Sequence, residues 1–199
     1  MKKTNIAVLV SGGGTNLQAL IDAEKSGIIK SGEITFVISN NPDAYALQRA
    51  QKAGISTTIC NKKELGAAFE DTLIDILDKN NIDIIVLAGF MCILSEKFTT
   101  YFANRIINVH PSLIPSFCGK GFYGLHVHEA ALEYGVKVTG ATVHFVNEIP
   151  DGGKIIMQKA VEINDDDTPE TLQKRVMENA EWIILPQAVE KVCNELNRK

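Results

Sequence analysis

No stretch of this chain stays apolar long enough to cross a membrane or act as a secretion signal. The run that follows Met1-Lys2-Lys3-Thr4-Asn5 breaks at Ser11-Gly12. No stripe of basic side chains is present either. With 20 Lys and Arg against 24 Asp and Glu the formal charge is -4, which argues against general nucleic-acid binding. Cysteine is sparse: Cys60, Cys92, Cys118 and Cys193 stand far apart without metal-like spacing. Reduced thiols in a cytoplasmic setting, and no metal site, are therefore expected. Repeats, low-complexity blocks and Pro/Gly-rich linkers are also missing, so residues 1–199 are expected to form a single domain. What is there, 45% hydrophobic and 22% charged, is the composition of a soluble globular protein able to bury a core.

Short β-branched runs at 6–10, 34–38, 56–59, 84–87 and 105–109 alternate with helical patterns at about 15–26, 43–53, 65–80 and 95–101. Strands spaced by helices imply right-handed crossovers. The fold class is then α/β, Rossmann-like, with a mostly parallel twisted sheet and helices on both faces. The run Ile84-Ile85-Val86-Leu87-Ala88 lacks polar alternation and suits a central strand. Runs at 139–146 and 155–163 are joined by only eight residues, too few for a parallel crossover, so they are expected to pair antiparallel. Thr168-Pro169 offers an N-cap and a first-turn proline for a long last helix reaching about Cys193, with Leu172, Val176, Ile183 and Val189 as its apolar stripe.

Two places carry chemistry. Ser11-Gly12-Gly13-Gly14-Thr15-Asn16 ends the first strand and opens the first helix, where glycines let the backbone approach a ligand and the helix offers free N–H groups. Gly13, Gly14, Thr15 and Asn16 suit a monophosphate, or else form only a tight turn with Thr15 as the cap. A dinucleotide does not fit, because Leu17 replaces the third glycine and Ser39-Asn40-Asn41-Pro42 replaces the acid after the second strand. A Walker-type Gly-Lys-Ser/Thr is absent. The second place is Asn108-Val109-His110-Pro111. Pro111 stops the strand, and Asn108 and His110, two apart, face one way at its end, where open α/β sheets bind ligands. An amide donor beside an imidazole suits oxyanion stabilisation and proton transfer. Taken singly, Asn108 reads as well as a turn cap, His110 as a core histidine, and Asp151 of Asp151-Gly152-Gly153 as a turn residue.

Residues 11–18, Leu87-Ala88-Gly89-Phe90-Met91, residues 108–115, Thr142-Val143-His144-Phe145-Val146 and Asp151-Gly152-Gly153 together resemble the glycinamide ribonucleotide formyltransferase family, nearly end to end. The resemblance implies transfer of a formyl group from the co-substrate 10-formyltetrahydrofolate to the amine of phosphoribosyl-glycinamide in purine synthesis. It implies small-molecule partners only, and a monomer or weak homodimer. Asn108 would donate to the oxyanion, His110 would act as acid, and Asp151 would raise the His110 pKa or order a water. Met91, Cys92, Ile93 and Leu94 would line a pterin pocket, closed at its polar edge by a loop carrying Asn147, Glu148 and Asp151. Glu181 would hold the substrate ammonium or ribose. Outside the resemblance, residues 91–94 read as a strand end turning into a core helix and Glu181 as a solvated helix charge. His144 reads as a packed core histidine outside the catalytic set, and His126 and His128 as solvated.

The chain departs from the family pattern in three places. Cys92 stands where many relatives place Arg, and Trp182 follows the acid where His is common. The loop 116–124 is longer than in the short form and brings Lys120, Gly121, Phe122 and Tyr123 either to ligand or over the sheet edge. A formyltetrahydrofolate hydrolase using the same three residues, and a phosphosugar-binding sensor on the same fold, are the alternatives. A relative that formylates tRNA would need a second, basic domain, against a charge of -4 here.

Overall fold

The computed structural model describes residues 3–198 and arranges them around one seven-stranded sheet. The elements are β1 (Thr4–Val10), α1 (Thr15–Lys25), β2 (Gly32–Ser39), α2 (Tyr45–Lys52), β3 (Ser56–Ile59), α3 (Lys62–Leu65), α4 (Phe69–Lys79), β4 (Ile84–Leu87) and α5 (Glu96–Tyr101). They continue with β5 (Ile106–His110), α6 (Leu125–Tyr134), β6 (Val138–Phe145), β7 (Ile155–Glu162), α7 (Pro169–Val176) and α8 (Trp182–Leu196). The strand order is β3-β2-β1-β4-β5-β6-β7. Pairing is parallel from β3 to β5 and antiparallel on both sides of β6. The direction of winding reverses between β1 and β4, so the loops leaving those strands open the crevice where such sheets take ligands.

Each face of the sheet buries its own core. Ile6, Val8, Val10, Val86, Ile107 and Val109 pack under α1, α2 and α8, whereas Ala7, Leu9, Ile85, Leu87 and Ile106 pack under α4 and α5. Side chains alternate across a strand, so Asn108 and His110 share the second face with Ile106. The uninterrupted run of β4 is buried throughout, as a strand covered on both faces must be. At the start of α7, Thr168 and Thr171 cap each other's backbone and Pro169 occupies the first turn. Among the described residues, no helix is long and apolar enough to cross a membrane.

Three local features differ from the sequence expectation or add to it. The last helix is interrupted by a π-helical turn, Met177–Glu181, between α7 and α8. A π turn shifts the helical register, so Ile184 and Leu185 enter the core while Ile183, expected in the stripe, is 39% exposed. The third helix proper begins only at Phe69, because Gly66 at φ 53 ends α3 first. Helix α6 lies between Gly124 and Gly135, both at positive φ, and its entry is masked in sequence by the glycines of the preceding loop.

His128 on α6 is buried rather than solvated, and neither ring nitrogen has a partner among the described residues. Burial, with nearby His110 adding to it, pushes its pKa down to about 4. His126 is exposed and paired with Glu129 at 2.7 Å, as a solvated helix position should be. A ring held neutral in the fold but protonated in the unfolded chain near pH 6.5 makes acid favour unfolding. Stability is therefore complete above that pH, falls as pH drops toward about 4, and loses nothing more from this group below it. Urea unfolding across this range should show a loss of about 3 kcal/mol that is absent in His128→Phe. Identical pH dependence in the two proteins would refute it.

Candidate active site

The antiparallel ladder between β5 and β6 sets Asn108 opposite His144 and His110 opposite Thr142, so four polar side chains share one patch of sheet. His144 donates from Nδ1 to the Phe145 carbonyl at 2.8 Å. Its Nε2 lies 3.2 Å from the Asn108 amide nitrogen and 3.5 Å from Asp151 Oδ1. The neutral ring thus accepts from Asn108, and the protonated ring donates toward Asp151. Thr142 donates to the Ser112 carbonyl at 2.7 Å and accepts from the Ile114 N–H at 3.1 Å, which fixes the turn after Pro111.

Asp151 reaches this patch from the turn between β6 and β7, with its own backbone at φ 56 and its side chain only 13% exposed. The turn can return so tightly because residue 153 is glycine: a Cβ there would stand 1.7 Å from the Phe145 carbonyl oxygen. Asp151 Oδ2 lies 3.5 Å from His110 Nδ1 and accepts from the Gly119 N–H at 2.8 Å. On its other side, His110 donates from Nε2 to the Phe117 carbonyl at 2.8 Å. One loop therefore holds both partners of the pair through its backbone.

The electrostatics follow from that packing. Burial alone would push the Asp151 carboxyl up, but the rings of His144 and His110 and the Gly119 N–H outweigh it and hold it below the usual carboxylate range. For His110 burial wins. It lowers the pKa, His144 adds to the lowering, and the Asp151 charge and the Phe117 carbonyl do not offset them. The expectation that Asp151 raises His110 above its ordinary value is thus corrected: the carboxylate raises it, and desolvation raises the energy of the imidazolium more.

The glycine turn between β1 and α1 depends on one of its glycines more than on the others. Gly14 sits at φ 74, and a Cβ there would come 2.6 Å from Ala46 Cβ, so this position admits only glycine. Gly13 is exposed with nothing within 4 Å of a Cβ. The residue that caps α1 is Gly14, with no side-chain bond, so Thr15 does not serve as the cap. Asn16 donates to Glu181 Oε2 at 2.9 Å. Glu181 lies in the π-helical turn, only 6% exposed, so it is not a solvated helix charge; burial raises its pKa against the Asn16 bond.

Across the crevice, Met91 and Ile93 are 60% and 71% exposed, whereas Leu94 is buried in the same core cluster as Phe98. Cys92 is half-buried and accepts from the Asn40 amide at 2.9 Å. The Met91 N–H donates to Ser11 Oγ at 2.8 Å, which ties this loop to the glycine turn. Asn147 accepts from the Ile149 N–H at 3.1 Å and shapes the 147–152 turn, while Glu148 is exposed on it. In the long loop, Lys120, Gly121 and Tyr123 are exposed, and Phe122 packs edge-on to Phe117 at 6.3 Å. Among the described residues no cluster of three His, Cys, Asp or Glu is placed to hold a metal.

Sequence reasoning set His144 aside and missed the two backbone groups of Phe117 and Gly119. Alternation along the 139–146 run puts His144 on one face with Thr142, but its place opposite Asn108 comes from the β5–β6 register. A carbonyl and an N–H leave no mark on the side-chain sequence.

The fold and site define a doubly wound α/β domain with an Asn/His/Asp cluster at the carboxyl edge of its central strands. Residues 4–189 match the formyl transferase family model, and the chain belongs to that family. It is 45% identical to phosphoribosylglycinamide formyltransferase of Haemophilus influenzae over 95% of this chain and 86% of that protein. It is 45% identical to the bovine trifunctional purine biosynthetic protein adenosine-3, over 97% of this chain but 19% of that one. The chain thus spans about a fifth of the trifunctional relatives it matches. Among solved structures, glycinamide ribonucleotide transformylase 1 of Symbiobacterium toebii superposes with a TM-score of 0.90 at 40% identity, covering 97% of this chain and 89% of that one.

If Asp151 is the group that keeps His110 from falling further, its neutralisation has a definite sign. In Asp151→Asn the His110 titration followed by NMR should move to lower pH than in the parent. An unchanged or upward-moving titration would remove Asp151 from this role.

Proposed function

We propose that this chain transfers the formyl group of 10-formyltetrahydrofolate to the primary amine of 5-phosphoribosyl-glycinamide, a step of purine synthesis. The observation that carries the reading is the convergence of Asn108, His110 and Asp151 at the strand edge, in a chain of the formyl transferase family. The phosphate of the acceptor lies in the turn of Gly13, Gly14, Thr15 and Asn16. Glu181 acts from behind it through Asn16, 2.9 Å away, rather than by facing the open crevice. The folate ring takes the apolar surface of Met91 and Ile93, with Cys92, Leu94 and the turn of Asn147 and Glu148 shaping its edges. The exposure of two neighbouring large apolar side chains supports that fit.

Chemistry at this site is a displacement at the formyl carbon. The amine attacks, the formyl oxygen gains negative charge, and the Asn108 amide donates to it, an interaction worth about 3 kcal/mol in comparable sites. A His110 ring that is neutral near pH 7 accepts the proton lost by the amine and returns it to the departing folate nitrogen. With Nε2 committed to the Phe117 carbonyl, the exchangeable proton sits on Nδ1, beside Asp151. Asp151 stabilises that transient imidazolium or holds a water that relays the proton. His144 aims the Asn108 amide. The enzyme works in the cytosol, in keeping with four free cysteines, on small molecules alone, as a monomer or weak homodimer.

Purified protein given both substrates should formylate the amine; release of formate alone would replace this reading with the hydrolase. His110→Ala and Asp151→Asn should each lower turnover at least ~100-fold while remaining folded. Near-normal turnover in either would dismantle the assigned trio. Gly13→Asp sets a carboxylate beside the phosphate where the structure leaves room for a side chain, so it tests charge without packing strain. KM for the phosphorylated substrate should rise steeply and the folate KM should not; an unchanged KM would move the phosphate elsewhere.

A further inference from the structure

The glycine turn is held from behind, one carbonyl at a time. The Ser11 carbonyl accepts from the Asn41 amide at 3.3 Å, Gly12 from the Ala46 N–H at 3.0 Å, Gly13 from Arg49 Nε at 2.8 Å and Gly14 from the Gln18 N–H at 2.9 Å. None of the N–H groups from Gly12 to Asn16 has a partner among the described residues. The acceptors from Ser11 to Gly14 are thus engaged, and the N–H groups from Gly12 to Asn16 are left without a partner among the described residues. Such a polarised loop suits an anion because the carbonyls cannot rotate toward it and repel it.

Three of these four bonds are backbone contacts or come from a neighbouring loop. The exception is Arg49, a side chain of α2 that is itself held in place. Its NH1 donates to Gln18 Oε1 at 3.1 Å, and its guanidinium stacks on Tyr45 at 5.0 Å from the ring centre. Among the described residues no carboxylate pairs with Arg49. Its bonds go to the turn and to α1 instead, so its full positive charge stays close behind the turn.

We propose that Arg49 is a positioning residue for the substrate phosphate: by binding the Gly13 carbonyl from the α2 side it holds the N–H groups of the turn toward the anion. This rests on the reading of the glycine turn as the phosphate site. Arg49 does not need to touch the phosphate. A fork that binds Gly13 and Gln18 at once, braced by an aromatic face, does what a flexible ammonium does not. The role is therefore geometric as well as electrostatic.

The test compares Arg49→Met and Arg49→Lys with the parent enzyme, using inorganic phosphate and the phosphoribosyl substrate as probes. In the parent, phosphate should shift the amide NMR signals of Gly13 through Asn16. Both variants should weaken that response and raise KM for the phosphorylated substrate about tenfold, while KM for the folate stays put. A Lys variant that behaves as the parent, beside a weakened Met variant, would show that only charge matters and would overturn the positioning role. Parent-like values in Arg49→Met would overturn it as well. If the parent amides ignore phosphate, the assignment of the turn itself fails, and this proposal with it. Thermal unfolding of each variant separates a local effect from a lost fold, since Arg49 is only half-buried.

Discussion

A carboxylate that is 13% exposed needs partners, because an ion withdrawn from water without them is too costly to keep. Asp151 has three. His110 and His144 stand on either side of it at 3.5 Å, and the Gly119 N–H donates at 2.8 Å. Each comes from a different part of the chain, so this one charge pins β5, β6 and the 116–124 loop to the β6–β7 turn. Remove it and two buried rings lose their common neighbour, and the loop loses its anchor. The site is ordered by the demand of one anion for solvation.

That demand also explains the state of His110. The ring lies beside a carboxylate and a carbonyl, both of which favour its charged form, yet burial holds it neutral. A base that becomes a stable cation would keep the proton it takes. Asp151 favours the imidazolium and burial disfavours it more, a balance that the proposed proton transfer between two nitrogens would use.

The glycine-turn end of the crevice applies a different device. The turn itself carries no charged side chain and is polarised, with its carbonyls bound by α1, α2 and the loop after β2. Gly14 makes this possible, because Ala46 occupies the space a side chain would need. The two ends are mechanically joined by the bond between Met91 and Ser11, so the loop carrying the exposed apolar pair and the glycine turn keep a fixed spacing.

Much of this was legible in the residues. The alternation of short β-branched runs and helical patterns determined a parallel sheet, because strands separated by helices cross over and return in the same direction. The spacing of Asn108 and His110 and the stop at Pro111 put both on one face at a strand end. The eight-residue link after β6 required an antiparallel pair. Tertiary structure decided the rest. His144 joined the site because the β5–β6 register sets it opposite Asn108, and a register is a relation between two distant strands. Phe117 and Gly119 act through backbone atoms that every residue shares, so no side chain announces them. Ile183 left its stripe because a π-helical turn shifted the register ahead of it. The direction of the His110 shift depended on how completely it is buried, and burial is a property of the packed chain, not of any stretch of its sequence.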